Sequence, residues 1–262
     1  MKIFKSVILF TILLICSCLP KKPEIPLTPV PAGPLLESLE RHQQSFASLK
    51  AVARLEVIKR GRKRALDSVG IVIDGDRRLR MEAYGPLGQS LMAFVWNGRD
   101  VLLRMPGEER VTRSGPAGLE RLFGKGLEPS ELCTVLSGNI PGMASSTSSL
   151  LRCGQENDCI LELRHDDLLR RVFLNYPSTG SSQEPRVLSQ ELYRAGKLVY
   201  EVRYERTQEI SHYRLPLNIV MENPDRNLQL TVRYTDVEVN TPLSEESFLL
   251  NDEGDTKEDD QH

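Results

Sequence analysis

The chain has 262 residues, with 34 basic and 36 acidic side chains and a formal net charge of −2 at pH 7. The two termini carry an uneven share of these charges, and the long segment between them is close to neutral. This balance gives no global field that would favour nucleic acid or an anionic surface. About 215 residues lie outside the termini, which is enough for one sizeable domain.

The N-terminus has the parts of a secretory signal peptide, predicted over residues 1–17. Lys2 and Lys5 form a short basic region, and residues 7–15 form an apolar run that is too short to span a bilayer comfortably as a helix. The run ends in Ile-Cys-Ser-Cys at residues 15–18, which resembles the bacterial lipobox. Cys18 is therefore the predicted site of a covalent N-terminal lipid, and an uncleaved anchor helix is the alternative.

The residue after the predicted lipid site indicates which membrane holds the protein. Leu19 stands where an Asp commonly retains lipoproteins in the inner membrane of diderm bacteria. We therefore expect a lipid-anchored protein of the outer membrane that faces the periplasm.

Two segments outside the domain are predicted from composition. Residues 18–34 hold the lipidated cysteine and a proline-rich stretch, which favours extended polyproline II and a tether, with a proline-motif ligand as the alternative. Residues 251–262 are acidic and lack apolar side chains, so we expect a disordered, solubilising tail rather than a docking motif. The folded domain is expected over residues 35–250.

The first half of the domain is predicted to be a helix followed by six strands. Apolar residues recur at helical spacing over residues 34–49, and the period then changes from 3.6 to 2. Asp74-Gly75 and Asn97-Gly98 are turn signals between strands. The predicted strands cover residues 51–58, 66–73, 78–83, 91–96, 101–105 and 110–112.

The second half is predicted to be two helices followed by about seven strands. Residues 116–123 and 129–136 each begin with proline and place leucines on one face. The later strands are expected near residues 150–153, 159–164, 168–176, 186–194, 198–206, 215–222 and 228–239. Short turns between successive strands imply an antiparallel meander, and so many strands imply a strongly curved sheet or incomplete barrel that can enclose a cavity.

The cysteines and the candidate catalytic residues are predicted to have structural rather than catalytic roles. Cys153 and Cys159 flank a turn-rich pentapeptide, so a disulfide across that hairpin is expected in an oxidising periplasm, and Cys133 is expected to be a buried free thiol. No nucleophile elbow, phosphate loop, HExxH or CxxC is present. His165-Asp166-Asp167 is predicted to be a hairpin turn. We therefore expect no enzyme activity, no metal and no cofactor besides the lipid on Cys18.

The lipobox, the order of elements and several short motifs resemble the LolA/LolB-like family of lipoprotein carriers and outer-membrane receptors. The resemblance covers most of residues 35–239, but Val135 stands where tryptophan is frequent in LolB-like proteins, and the second half is longer. The matching stretches are the helix over 35–49, the strands over 51–84, Gly85-Pro86-Leu87-Gly88, residues 132–142, Leu215-Pro216-Leu217-Asn218-Ile219-Val220 and the strand from Leu228.

The resemblance implies a half-barrel with an N-terminal helix and two central lid helices around an apolar cavity that holds acyl chains. It implies membrane lipid, acyl chains of lipoproteins or other lipids, and a periplasmic lipoprotein carrier as partners, and no nucleic acid; we expect a monomer. The candidate cavity wall consists of Leu91, Met92, Ala93, Phe94, Val95, Trp96, Leu119, Leu122, Phe123, Leu132 and Leu136. An ordinary filled core in an interaction or sensor module is the alternative.

The most specific expectation from the resemblance is that Leu87 is exposed on a membrane-facing loop. The corresponding loop of the family carries an exposed leucine that places cargo lipid in the membrane. Pro86 stiffens the loop here, and Gly85 and Gly88 permit a tight, protruding turn. A turn leucine that folds back onto the core is the alternative.

Overall fold

The computed structural model describes residues 27–107, 111–115, 119, 127–177 and 184–250. In these residues it contains two α-helices, α1 (Gly33–Gln44) and α2 (Pro129–Leu136). The strands of the first half are β1 (Thr28–Val30), β2 (Ser48–Lys59), β3 (Arg62–Asp74), β4 (Arg78–Tyr84), β5 (Ser90–Trp96), β6 (Val101–Arg104) and β7 (Thr112–Ser114). Those of the second half are β8 (Ser148–Cys153), β9 (Asp158–His165), β10 (Leu168–Asn175), β11 (Arg186–Arg194), β12 (Lys197–Ile210), β13 (Tyr213–Asn223) and β14 (Leu228–Val239).

All the described strands form one antiparallel sheet. Its order is β1-β8-β9-β10-β11-β12-β13-β14-β2-β3-β4-β5-β6-β7, so the two halves of the chain meet where β14 pairs with β2. β1 and β7 are the outer strands, and the sheet is not closed. The expected mainly β, antiparallel architecture is confirmed.

The sheet curves strongly around α2. Glu131 on this helix lies 2.6 Å from Arg170 on β10, and the thiol of Cys133, two residues later, lies 3.7 Å from the carbonyl oxygen of Arg78 on β4. Seven strand spacings separate β10 from β4 in the sheet. At about 4.8 Å per spacing a flat sheet would place them ~34 Å apart, so only a curved sheet can bring both strands to one short helix.

The curved sheet has an inner and an outer face, defined here by the side chains that they bury. The inner face, which packs on the helices, carries two clusters: a large one around α2 and a smaller one around Leu35 and Leu39 of α1. On the outer face, Val95 and Leu102 are covered by Phe248 of the C-terminal segment. The described members of these clusters lie between residues 30 and 250.

The turns fall into two groups because every pair of strands is antiparallel. The turns after β2, β4, β9, β11 and β13 lie at one end, which we call the Leu87 end. The turns after β3, β5, β8, β10 and β12 lie at the other, the disulfide end. β1 begins at the disulfide end, where Thr28 is the register partner of Cys153.

Several predicted boundaries differ from the structure. The helix over 129–136 is confirmed, whereas α1 ends at Gln44 and β2 begins at Ser48, so the predicted helix end at residue 49 was wrong. The reason is that strand pairing with β3 and β14 starts there. Residues 28–30, predicted to belong to an extended tether, pair with β8, and Pro29 is tolerated because β1 is an outer strand. Within the described residues, no helix has the length and apolar character needed to cross a bilayer.

Candidate membrane-facing loop and lipid-binding face

The β4–β5 loop presents Leu87 to solvent. The Gly85 amide donates to the carbonyl oxygen of Gln89 at 2.8 Å, the Gly88 amide donates to that of Gly85 at 2.9 Å, and the Leu87 amide donates to Oε1 of Gln89 at 3.0 Å. Gly88 has a φ of +80°, which favours glycine. The loop therefore satisfies its own backbone, and the Leu87 side chain is 92% exposed.

Two further apolar side chains flank this loop. Tyr84, at the end of β4, is 39% exposed, and Leu91, near the start of β5, is 40% exposed. A single exposed leucine is ordinary on a protein surface, but a hydrogen-bonded loop that carries one nearly free leucine beside two half-exposed apolar side chains is a candidate contact site.

The candidate cavity wall on β5 divides between the two faces. Met92, Phe94 and Trp96 belong to the inner cluster around α2, where they oppose Ala83, Met81 and Leu79 of β4. Leu91, Ala93 and Val95 have the opposite parity, and Val95 packs against Phe248 on the outer face. Only the first three are therefore placed to line an inner cavity.

The helical part of the candidate wall lies around α2. Leu132 and Leu136 are fully buried on the inner face, and so is Leu119. Leu122 and Phe123 lie outside the described residues, as does Cys18. Val135, at the position where tryptophan is frequent in LolB-like proteins, is also buried there.

Four tyrosines of the inner face hold the helix α2 and the residues that follow it, three of them by direct hydrogen bonds. The hydroxyls of Tyr234 and Tyr213 donate to the carbonyl oxygens of Leu136 and Ser137 at 2.9 and 2.7 Å. Tyr204 donates to that of Asn139 at 3.5 Å. Burial raises the pKa of all three hydroxyls, so they remain protonated donors.

The fourth tyrosine belongs to a buried network centred on Arg170 of β10. The Arg170 guanidinium, 5% exposed, donates to the Tyr200 hydroxyl and to Oε1 of Gln190, both at 3.0 Å, and to Oε1 of Glu131 at 2.6 Å. Burial raises the pKa of Glu131 even though Arg170 acts against that change, and burial raises the pKa of Tyr200 to about 12. The network joins α2 to three strands, and sequence reasoning missed it.

The residues after α2 approach the sheet closely. Gly138 has a φ of +83°, and a Cβ at this position would lie 2.5 Å from Cδ of Pro216 on β13. Only glycine fits both the backbone conformation and the space. This contact holds the chain against the inner face at the point where the tyrosine bonds are made.

Two small cavities lie on the inner face among the described residues. One apolar cleft of about 10 Å³ lies between Leu127 and strands β12–β14, at the Leu87 end. Another cavity of about 30 Å³ lies between α1, Gly138 and β11–β13. Each is room for a water molecule or two, far below the ~300–1,000 Å³ of typical ligand pockets.

His42 of α1 borders the second cavity. Its ring stacks on Tyr213 with centroids 4.6 Å apart, so it packs on the inner face. Burial, and then the positive charge of Arg214, lower its pKa from the ordinary 6.5 to about 4. The ring is therefore neutral near pH 7, and it contributes packing rather than charge.

The cysteines and the histidine–aspartate turn are placed as follows. Cys153 and Cys159 form a disulfide, and Cys133 is a buried free thiol. Asp166 lies in the β9–β10 turn, 3.6 Å from the ring of His165. Among the described residues no group of His, Cys, Asp or Glu is arranged to hold a metal ion.

Comparisons with known proteins give matches to solved structures. No protein-family model and no curated protein matches the sequence. A DUF1329 family protein from Desulfovibrio piger is 14% identical with a TM-score of 0.61, over 84% of this chain and 97% of that one. A LolA superfamily protein from Nitrosomonas europaea is 17% identical with a TM-score of 0.57, over 84% and 98%.

A third structure agrees with these two. It is a domain from Vibrio parahaemolyticus described as an outer membrane lipoprotein-sorting protein, 15% identical with a TM-score of 0.58, over 83% of this chain and 97% of that one. Identities this low establish shared architecture and leave activity open. The expected resemblance is confirmed at the level of architecture: the chain shares its fold with these three structures, a LolA superfamily protein among them.

Proposed function

We propose that this protein is a lipoprotein, anchored to the outer membrane through Cys18, that binds acyl chains on its inner face and helps to receive lipoproteins or other lipids and insert them into the membrane. The observation that carries the proposal is Leu87, 92% exposed on a loop whose backbone is already satisfied. An aliphatic side chain in that position does nothing for folding. It is suited to enter a bilayer beside an apolar-lined sheet.

The inner face supplies apolar surface of the required kind. Transfer of an acyl chain from water to an apolar environment is favourable by about 0.8 kcal/mol per methylene. A protein that binds such a chain therefore has to bury it against comparable apolar surface. Met92, Phe94, Trp96 and the leucines of α2 supply it. The two cavities described above hold only water-sized volumes, so acyl chains would enter there only if the packing between α2 and the sheet opens.

The positions of β1 and Leu87 at opposite ends of the sheet restrict how the domain can lie at the membrane. β1 joins the sheet at the disulfide end, and Leu87 lies at the opposite end. Fully extended, the ten residues from Cys18 to Leu27 span at most ~33–36 Å. Leu87 therefore reaches the bilayer that holds the lipid of Cys18 only in an orientation that brings both ends of the domain within this length of the membrane.

The decisive experiment replaces Leu87 by Glu and uses Leu249→Glu as a matched control, because Leu249 is an exposed leucine elsewhere, 56% exposed. Both changes should alter the free energy of unfolding by less than about 0.5 kcal/mol, since both side chains lie on the surface. Only Leu87→Glu should slow transfer of a fluorescent acylated peptide to liposomes. Equal transfer by both variants and the wild type would contradict the proposal.

The alternative is an interaction or sensor module that uses the same fold without transfer. The small volume of the two described cavities is the observation that favours it. Mass spectrometry of the purified protein distinguishes the two, because a carrier should retain a co-purifying lipid or acylated peptide. Protein that is free of lipid and does not bind an acyl probe would favour the module.

A further inference from the structure

The β2–β3 hairpin is a concentrated cationic surface on a chain whose overall charge is nearly balanced. Residues 59–64 read Lys-Arg-Gly-Arg-Lys-Arg, and every one of them is exposed. We call this segment the basic hairpin. In the described part of the chain, Lys63 forms an ion pair with Glu56 at 2.8 Å, and no other cation of the hairpin has a carboxylate partner.

The basic hairpin and the Leu87 loop lie at the same end of the sheet. β3 and β4 are antiparallel, so the start of β3 and the end of β4 lie at the same end of the sheet. Their pairing stops at Val69 and Ala83, which leaves residues 62–68 of β3 without a partner on that side. The cations and the exposed leucine therefore lie on neighbouring hairpins, and the tip of the basic hairpin extends eight residues, or ~26 Å, past the last β3–β4 pair.

The same end also holds the opening of an apolar cleft. Lys59 pairs with Leu228, and Leu228 and Leu230 line the small cleft between Leu127 and β12–β14. Alternation along β2 places Lys59 on the same face as Val57, which packs against the inner cluster. A cationic side chain therefore stands at the edge of the inner face where a lipid would enter from a membrane.

We infer that the Leu87 end docks obliquely on an anionic bilayer surface, with the long basic hairpin lying along the lipid phosphates and Leu87 in the acyl region beneath them. The inference rests on the proposed function and deepens it by naming the class of lipid. Two features favour a bilayer: basic residues are attracted to an anionic surface within about a Debye length, and a lone exposed leucine gains from burial in hydrocarbon. Neither a soluble anion nor a carboxylate-rich peptide explains both together.

The test uses the chain from Leu19 to His262, which contains every described element and the acidic tail, with vesicles of phosphatidylcholine alone or mixed with phosphatidylglycerol. The variant Arg60→Gln/Arg62→Gln/Arg64→Gln removes three cations and keeps the pair between Lys63 and Glu56. The matched control, Arg41→Gln/Arg99→Gln/Arg186→Gln, removes three exposed cations at the disulfide end. Thermal unfolding of both variants checks that the fold is kept.

The basic-hairpin variant should bind the phosphatidylglycerol vesicles roughly 100-fold more weakly than the wild type, at about fivefold for each charge removed. The control variant should bind like the wild type, and phosphatidylcholine vesicles should bind weakly in every case. Added salt should release the wild type from anionic vesicles, a measurement that needs no variant. Equal losses in the two variants, or equal binding to both kinds of vesicle, would overturn the inference.

Two further measurements distinguish this inference from the proposed function and from binding of the hairpin to the acidic tail. If Leu87→Glu transfers cargo normally while the basic hairpin still selects anionic vesicles, the proposed function fails and the docking surface stands. The acidic residues 251–262 are the competing occupant. If a chain that ends at residue 250 binds anionic vesicles equally well with and without the three arginines, the basic hairpin serves the tail and the inference fails.

Discussion

Replacement of Arg170 by Met tests the account of how α2 is held. The guanidinium is 5% exposed and binds Glu131, Gln190 and Tyr200 at 2.6 to 3.0 Å. Removing it leaves the carboxylate of Glu131 buried without its cation, which typically costs ~3–5 kcal/mol. That is a large fraction of a typical domain stability of ~5–15 kcal/mol.

Urea unfolding measures this loss, because Trp96 is the sole tryptophan of the chain and is buried against the inner cluster. Arg54→Met is the matched control, since Arg54 pairs with Asp67 in an exposed ion pair of 3.2 Å. An exposed pair contributes at most ~1 kcal/mol. A third variant, Arg170→Met with Glu131→Leu, removes both charges and should recover most of the loss.

The pH dependence of the stability loss in Arg170→Met is a second test, because its direction can be predicted. Burial already raises the pKa of Glu131 in the folded protein, and the loss of Arg170 should raise it further. A carboxyl whose folded pKa is raised contributes stability that is lost as pH rises through that pKa. The deficit of Arg170→Met should therefore shrink as pH falls from 7 towards 5. A loss below 1 kcal/mol at pH 7, or a double variant no more stable than the single one, would refute the reasoning.

Three further predictions concern other parts of the chain. Cys18→Ala should abolish lipid labelling and block cleavage by the lipoprotein peptidase, and normal labelling of the variant would contradict the lipobox. Non-reducing peptide mapping should show Cys153 joined to Cys159, whereas two freely alkylated thiols in native periplasmic protein would exclude the bond. Because burial depresses the pKa of His42 to about 4, the stabilisation present above pH 6.5 should be lost as pH falls towards 4; His42→Phe should flatten this dependence of the unfolding free energy, and an unchanged slope would contradict it.

The elements that were predicted correctly have local causes. Alternation along residues such as 198–204, turn pairs such as Asn97-Gly98 and the proline that opens α2 each act within a few residues. The hydrogen-bonded loop around Leu87 belongs to the same group, because its glycines and proline determine the turn by themselves. The end of a helix depends less on local sequence: α1 ends before its predicted boundary because β2 pairs with both β14 and β3.

The parts that could not be predicted depend on contacts between distant residues. Arg170 and Glu131 are 39 residues apart, and neither position is marked by spacing or composition. Which side of β5 faces inward depends on how the C-terminal segment, with Phe248, covers the outer face. How far the basic hairpin extends past the Leu87 loop follows from where β3 and β4 stop pairing, a property of the assembled sheet.

The chemistry of the contacts around α2 bears on whether the inner face opens. A permanently filled core gains little from a buried ion pair, because well-packed apolar residues in its place are often as stabilising or more so. Here Arg170, Gln190 and the tyrosines Tyr204, Tyr213 and Tyr234 direct polar groups at the helix and the residues after it. If α2 leaves, water can satisfy each of these groups, whereas the apolar side chains beside them need acyl chains to cover them. A helix bound by replaceable hydrogen bonds over an apolar sheet is what reversible lipid binding requires, and this supports the carrier over the filled module.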